Sequence, residues 1–194
     1  MRRAIEERVT RETKIRVELD LDGSGKTDIQ TGIGFFDHML EGFGRHGFFD
    51  LAVKCEGDLN VDAHHTVEDC GIVLGTAFKK ALGDKFGIKR YGYFILPMDD
   101  ALIMSAVDLS GRPYLGYDIH FTGDKLGEMD TALAKEFFYA FSYSALINIH
   151  LRKLSGENDH HIMEGAFKAF AKALDMAVMR DGRIEGVLST KGRL

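Results

Sequence analysis

Thiols are scarce in this chain. Cys55 and Cys70 are its two cysteines among 194 residues, and they form no C-x-x-C pair. That argues against a disulfide framework and against thiolate zinc ligation, and it fits reduced thiols in a cytosol. Long apolar runs are missing too, so no segment reaches membrane-spanning length. The chain has no basic block and no stripe of aromatics interleaved with cations. With a net charge of −5, a dedicated nucleic-acid binder is not expected. The first eight residues, Met-Arg-Arg-Ala-Ile-Glu-Glu-Arg, lack the apolar centre of a secretion signal, and their acids disfavour a transit peptide. The expected location is therefore cytoplasmic. What is present is ordinary for a globular protein, 45% hydrophobic and 28% charged, with length enough for a core.

Against that plain background one pattern stands out. His64-His65-Thr-Val-Glu68 returns as His160-His161-Ile-Met-Glu164. On a helix the first His and the Glu share a face, while the second His points about 100° away. Each copy thus offers a two-toothed grip on one metal ion and a single imidazole to another. The downstream pattern repeats as well: Val67, Leu74, Ala77 and Phe78 match Met163, Phe170, Ala173 and Leu174 in spacing from the first His.

The rest of the chain follows the same duplication. Ile15, Val17, Leu19 and Leu21 alternate with charges, as in a strand. Asp22-Gly-Ser-Gly25 reads as a hairpin turn into a short strand near Ile29, and as a turn rather than a calcium loop. A helix is expected from near Thr31, with Ile33, Phe36, Leu40 and Phe43 on one stripe. A strand through Leu51, Val53 and Cys55 follows, then a helix capped by Asp62 and closed by Gly83. In the second half, Ala101–Val107 and Tyr114–Phe121 read as paired strands. A helix through Leu133, Phe137, Ala140 and Phe141, a strand near Ile147–Leu151 and a last helix closed by Gly182 complete it. The expected fold class is α/β of the α+β type: a strand–strand–helix–strand–helix unit used twice, with halves at about 10–92 and 93–190, in one domain over 1–194.

Two further histidines join the candidates. His38 lies off the apolar stripe of its helix, which leaves a ligand or an exposed polar residue as its choices. His150 sits among apolar neighbours in a strand, and a hydrogen-bonded, half-buried histidine competes with a ligand. His120 has no partner pattern. The ligand set is then His38, His64, His65, Glu68, His150, His160, His161 and Glu164. Eight ligands serve two ions with four each, leaving open positions on an octahedral metal. Mixed nitrogen and oxygen ligation with vacancies points to catalysis. Manganese is the first choice of ion, with iron, cobalt and zinc left open. If His38 faces away from its own core, the metals are expected between subunits, tying assembly to metal binding.

The chain resembles one family closely, that of imidazoleglycerol-phosphate dehydratase from histidine biosynthesis. The matching stretches are Arg-Glu-Thr-Lys-Ile from residue 11, Thr-Gly-Ile-Gly-Phe-Phe-Asp-His-Met-Leu from 31 and His-His-Thr-Val-Glu-Asp from 64. Val-Asp-Leu-Ser-Gly-Arg-Pro from 107, Gly-Glu-Asn-Asp-His-His-Ile-Met-Glu from 156 and Ser-Thr-Lys-Gly from 189 continue it. The resemblance implies a single-activity lyase with two Mn²⁺ per subunit, in a 24-subunit homo-oligomer built from trimers. Its implied reaction dehydrates imidazole glycerol phosphate to imidazole acetol phosphate through a metal-bound imidazolate. Glu12 is the implied proton-transfer group and His46 a substrate contact; with His65 and Glu164 they form the catalytic set. Arg90, Arg112, Ser189 and Lys191 match the substrate and phosphate contacts. Three residues depart from the family pattern: Asp100 where Glu is expected, Gly165 where Ala is usual, and Cys70. By helix propensity alone, Gly165 costs up to about 1 kcal/mol. A non-catalytic metal-binding shell protein and a dinuclear metallohydrolase are the rival readings. The first has no use for the arginines, and the second usually carries bridging aspartates.

Overall fold

The computed structural model describes residues 2–193. The first repeat runs β1 (Arg3–Val9), β2 (Thr13–Asp20), β3 (Thr27–Gln30), α1 (Gly34–Gly47), β4 (Asp50–Gly57) and α2 (His64–Leu82). The second runs β5 (Tyr91–Met98), β6 (Ala101–Asp108), β7 (Tyr114–Asp118), a small hairpin β8 (Lys125–Leu126) and β9 (Met129–Asp130), α3 (Leu133–Ala145), β10 (Asn148–Ser155) and α4 (Asp159–Val178). The two large sheets have matching strand orders, β1-β2-β4-β3 and β5-β6-β10-β7. In each, the third strand of the repeat pairs in parallel with the strand that follows the first helix.

Alternation along β2 buries Ile15, Val17 and Leu19 while Lys14, Arg16 and Glu18 face outward. Helix α2 covers this sheet and α4 covers the other. The repeats then cross: α1 packs on α4, and α2 on α3. Phenylalanines from both repeats meet in the middle, with Phe36 against Phe137 at 5.5 Å and Phe43 against Phe170 at 5.7 Å between ring centroids. One continuous core results. The α2–α3 approach depends on glycine: a Cβ at Gly71 would lie 2.7 Å from the Phe137 carbonyl oxygen, and at Gly75 2.7 Å from that of Phe141.

Several expectations need correction. Residues 22–25 do not make a hairpin, because β2 pairs with β1 and β4, and β3 joins the far side of β4. Likewise β6 pairs with β5 and β10, not with β7. Strands β1 and β5 were not expected, so each repeat opens one strand earlier than its alternation suggested. In β1 the partly buried face carries Ala4, Glu6 and Arg8 while Ile5 and Val9 are exposed, and in β5 apolar residues occupy both faces, so neither shows an apolar period on its inner side. Helix α4 ends at Val178, before Gly182. Gly165 also has a packing reason, since a Cβ there would lie 2.9 Å from Cγ1 of buried Ile103.

Candidate metal and substrate site

Both His-His-x-x-Glu clusters open helices. Asp62 Oδ1 accepts the His64 N–H at 2.7 Å, although the residue in the N-cap position of α2 is Ala63. Asn158 is the N-cap of α4 and accepts from the N–H groups of His160 and His161. The helical spacing brings His64 Nε2 to 3.8 Å from Glu68 Oε2, and His160 Nε2 to 3.3 Å from Glu164 Oε2. Helix α1 adds His38, whose Nε2 lies 3.7 Å from the same Glu164 oxygen. Among the described residues, His38, His160 and Glu164 are the group whose three donor atoms fall within 4.8 Å of one another. Burial pushes the Glu164 carboxyl up, but the Lys168 ammonium at 2.6 Å and the two imidazoles outweigh it and hold it below its usual range.

The second histidine of each pair is gripped differently. Asp58 Oδ2 accepts from His65 Nδ1 at 3.0 Å, and Asp100 Oδ1 accepts from His161 Nδ1 at 2.7 Å. The Asp58 bond, then the nearby Glu12, raises the His65 pKa, with burial opposing. Backbone N–H groups of Glu157 and Asn158, then His161, hold the Asp100 carboxyl well below the carboxylate range. Glu12 sits on the β1–β2 turn, 3.8 Å from His65 Nε2. That turn is seated by buried Asp69, which accepts from the Thr13 hydroxyl at 2.5 Å and pairs with Arg8. On the corresponding β5–β6 turn, Asp99 lies 3.4 Å from His161 Nε2.

His46 shares a groove of about 560 Å³ with His38, Glu164 and Lys168. Burial, then the charge of Lys168, lowers its pKa, so the ring is neutral near neutral pH. A second groove, of about 780 Å³, gathers Arg90, Arg112, Ser189 and Lys191, together with Arg183 and Arg193. Arg90 is fixed in a left-handed conformation with φ 69°. Its guanidinium donates to Asp108 at 2.7 Å and to the Leu188 carbonyl at 2.8 Å. Its N–H bonds the Ala177 carbonyl at the far end of α4. With a rise of 1.5 Å per residue, that anchor lies about 20 Å along α4 from Glu164.

His150 stands apart from both clusters. It is exposed on β10, its ring 5.4 Å from that of Tyr114, while Ile149 and Leu151 face the core. Sequence reasoning overlooked Asp58, Asp99 and Lys168. By position in its helix, Glu136 is the α3 counterpart of His38. Helices α1 and α3 end in left-handed caps at Phe48 and Leu146, and His38 and Glu136 stand equally far before them.

The duplicated α/β scaffold, with paired imidazole–carboxylate clusters and a separate cationic groove, defines an enzyme rather than a binding module. Residues 31–174 match the family model described as imidazoleglycerol-phosphate dehydratase. The chain is 63% identical over 185 residues to the imidazoleglycerol-phosphate dehydratase of Lachnoclostridium phytofermentans, covering 95% of this chain and 94% of that one. With the enzyme of Citrifermentans bemidjiense it is 54% identical, covering 100% and 99%. Its fold matches the crystal structure of the Staphylococcus aureus enzyme with a TM-score of 0.84 at 35% identity, over 92% of this chain and 99% of that one. The Pyrococcus furiosus enzyme, solved in complex with (S)-C348, gives 0.84 at 38% identity, over 97% and 99%. The chain belongs to the imidazoleglycerol-phosphate dehydratase family, and as such it is a hydro-lyase. No described helix is long and apolar enough to cross a membrane.

Proposed function

We propose that this chain removes water from imidazole glycerol phosphate to give imidazole acetol phosphate, in histidine biosynthesis, with two divalent cations per subunit, manganese first among them. The observation that carries the reading is the convergence of His38, His160 and Glu164. Two imidazoles and a carboxylate, one of them buried, suit a borderline divalent ion and leave positions for a substrate. His161 and His65, whose Nδ1 atoms are engaged by Asp100 and Asp58, supply the single imidazoles through Nε2. His64 and Glu68 form the second grip, and His150, exposed on β10, completes it from another copy. When bound, the cations supply Lewis acidity at the imidazole ring nitrogens.

The chain's own groups account for the remaining steps. Glu12 stands beside His65 and exchanges the proton of the carbon next to the departing hydroxyl, after which the enol relaxes to the ketone. Neutral His46 contacts the chain hydroxyls. Arg112, Ser189 and Lys191 grip the phosphate, and Arg90, already held by Asp108, shapes that grip.

Geometry supports an assembly. A substrate with three carbons between ring and phosphate cannot bridge the about 20 Å that separates metal cluster and cationic groove along α4. The groove of one copy therefore serves a cluster of another, as expected for a homo-oligomer, with trimers building a 24-subunit shell as the specific form. A storage shell would need no such groove. The test is turnover: metal-reconstituted protein and imidazole glycerol phosphate should yield the ketone, Glu12→Gln should abolish it, and absence of product from fully loaded protein would refute the reading.

A further inference from the structure

We infer that Asp58 and Asp100 are positioning residues that set the tautomer of His65 and His161. The inference rests on the proposed metal binding by those two imidazoles. A carboxylate can only accept, so its bond to Nδ1 requires the proton on that nitrogen and leaves the lone pair on Nε2. That is the form in which an imidazole binds a cation, and the second bond also fixes the ring plane. Both rings obtain it: Asp58 meets His65 Nδ1 at 3.0 Å, and Asp100 meets His161 Nδ1 at 2.7 Å.

The two aspartates are not copies of one another. Asp58 lies just after β4, in the loop leading to α2, whereas Asp100 lies in the β5–β6 turn. Duplication alone would have supplied the same loop in both repeats. Instead, unrelated elements reach the same nitrogen, so the shared feature is the orientation of the ring. The two also differ in their other duties. Asp100 accepts from the N–H groups of Glu157 at 2.6 Å and Asn158 at 3.0 Å, and so also ties down the start of α4. Asp58 is joined to the rest of the loop through its backbone, by the bond from its N–H to the Glu12 carbonyl and by the Val61 N–H. Its side chain is thus free to serve the imidazole.

The experiment uses the full chain, stripped and reloaded with Mn²⁺, as wild type and as Asp58→Asn, Asp100→Asn, His65→Ala and His161→Ala. An amide can donate to Nδ1 and so admits the opposite tautomer at nearly constant size. Mn²⁺ affinity is measured by chelator competition, and the melting temperature of the stripped protein is recorded for each. Both asparagine variants should bind Mn²⁺ about 10–100-fold more weakly while the stripped Asp58→Asn protein melts as the wild type does. Wild-type affinity in the asparagine variants, with ions lost from the alanine variants, would overturn the positioning role and leave the ligand reading standing. Full Mn²⁺ binding by the alanine variants would instead bring down the ligand reading itself. Weaker binding by Asp58→Asn with an equal fall in stripped-protein stability would mark that residue as a loop staple and overturn its assignment.

Discussion

Nε2 of His38, on the first helix of the first repeat, lies 3.7 Å from Oε2 of Glu164, on the last helix of the second. The contact exists because α1 packs on α4 across the repeat boundary. A metal grip at this point therefore joins segments far apart in the chain. His38→Ala and His160→Ala should each lower the bound metal to about one ion per chain, read by elemental analysis of dialysed protein, because each leaves too few donors at that cluster. Unchanged stoichiometry in both would remove this cluster from the metal-binding set.

Arg112→Ala should separate substrate grip from metal binding. An arginine–phosphate contact is worth about 1.5–3 kcal/mol, so KM should rise on the order of 10–100-fold. Metal content should stay at the wild-type value, and loss of metal would show that the residue is misassigned.

Asn158→Ala should cost about 1 kcal/mol by freeing the N–H groups at the start of α4. In a chain of this size the stripped protein should melt roughly 2–4 °C lower in calorimetry. An unchanged melting temperature would mean that the cap is replaced by water at no cost.

Gly165→Ala distinguishes propensity from packing. Helix propensity alone favours alanine by up to about 1 kcal/mol. The added methyl would stand 2.9 Å from Ile103 Cγ1, and crowding of this kind typically costs about 1–3 kcal/mol. Thermal melting should therefore show net destabilisation. A more stable variant would mean that α4 can shift off β6.

His46 gives the protein an acid-sensitive element. Its folded pKa lies below the usual 6.5, so the neutral ring is favoured by folding. Its contribution is complete above the unfolded value and is lost as pH falls through that value toward the folded one. Stability should decline on acidification from about pH 7.5 to 5.5, and less so in His46→Gln. Parallel pH–melting curves for the two proteins would contradict this.

The sequence carried the helices and the clusters well, and the sheets less well. His64, Glu68, His160 and Glu164 were legible because helix spacing alone decides that they share a face. Position His38 was legible as an off-stripe residue, but its partner was not, since the crossing of α1 onto α4 is a tertiary fact. Strand pairing was misjudged where a parallel neighbour lies beyond the local hairpin, as with β3 and β7. Asp58 was hidden, and Asp100 stood out only as a departure from the family pattern, because a carboxylate that bonds an imidazole from a loop leaves no periodic trace.

The crossed helix pairs bear on what either repeat could do alone. Cut from the rest, residues 2–83 would keep a sheet with α2 upon it, but the phenylalanine-lined flank of α1 and the glycine seam of α2 would face water. Such a fragment could bury those surfaces only against a second molecule, so its folding would become bimolecular and fail on dilution. The stretch joining Leu82 to Tyr91 turns that encounter into a single-molecule event whose outcome does not depend on concentration.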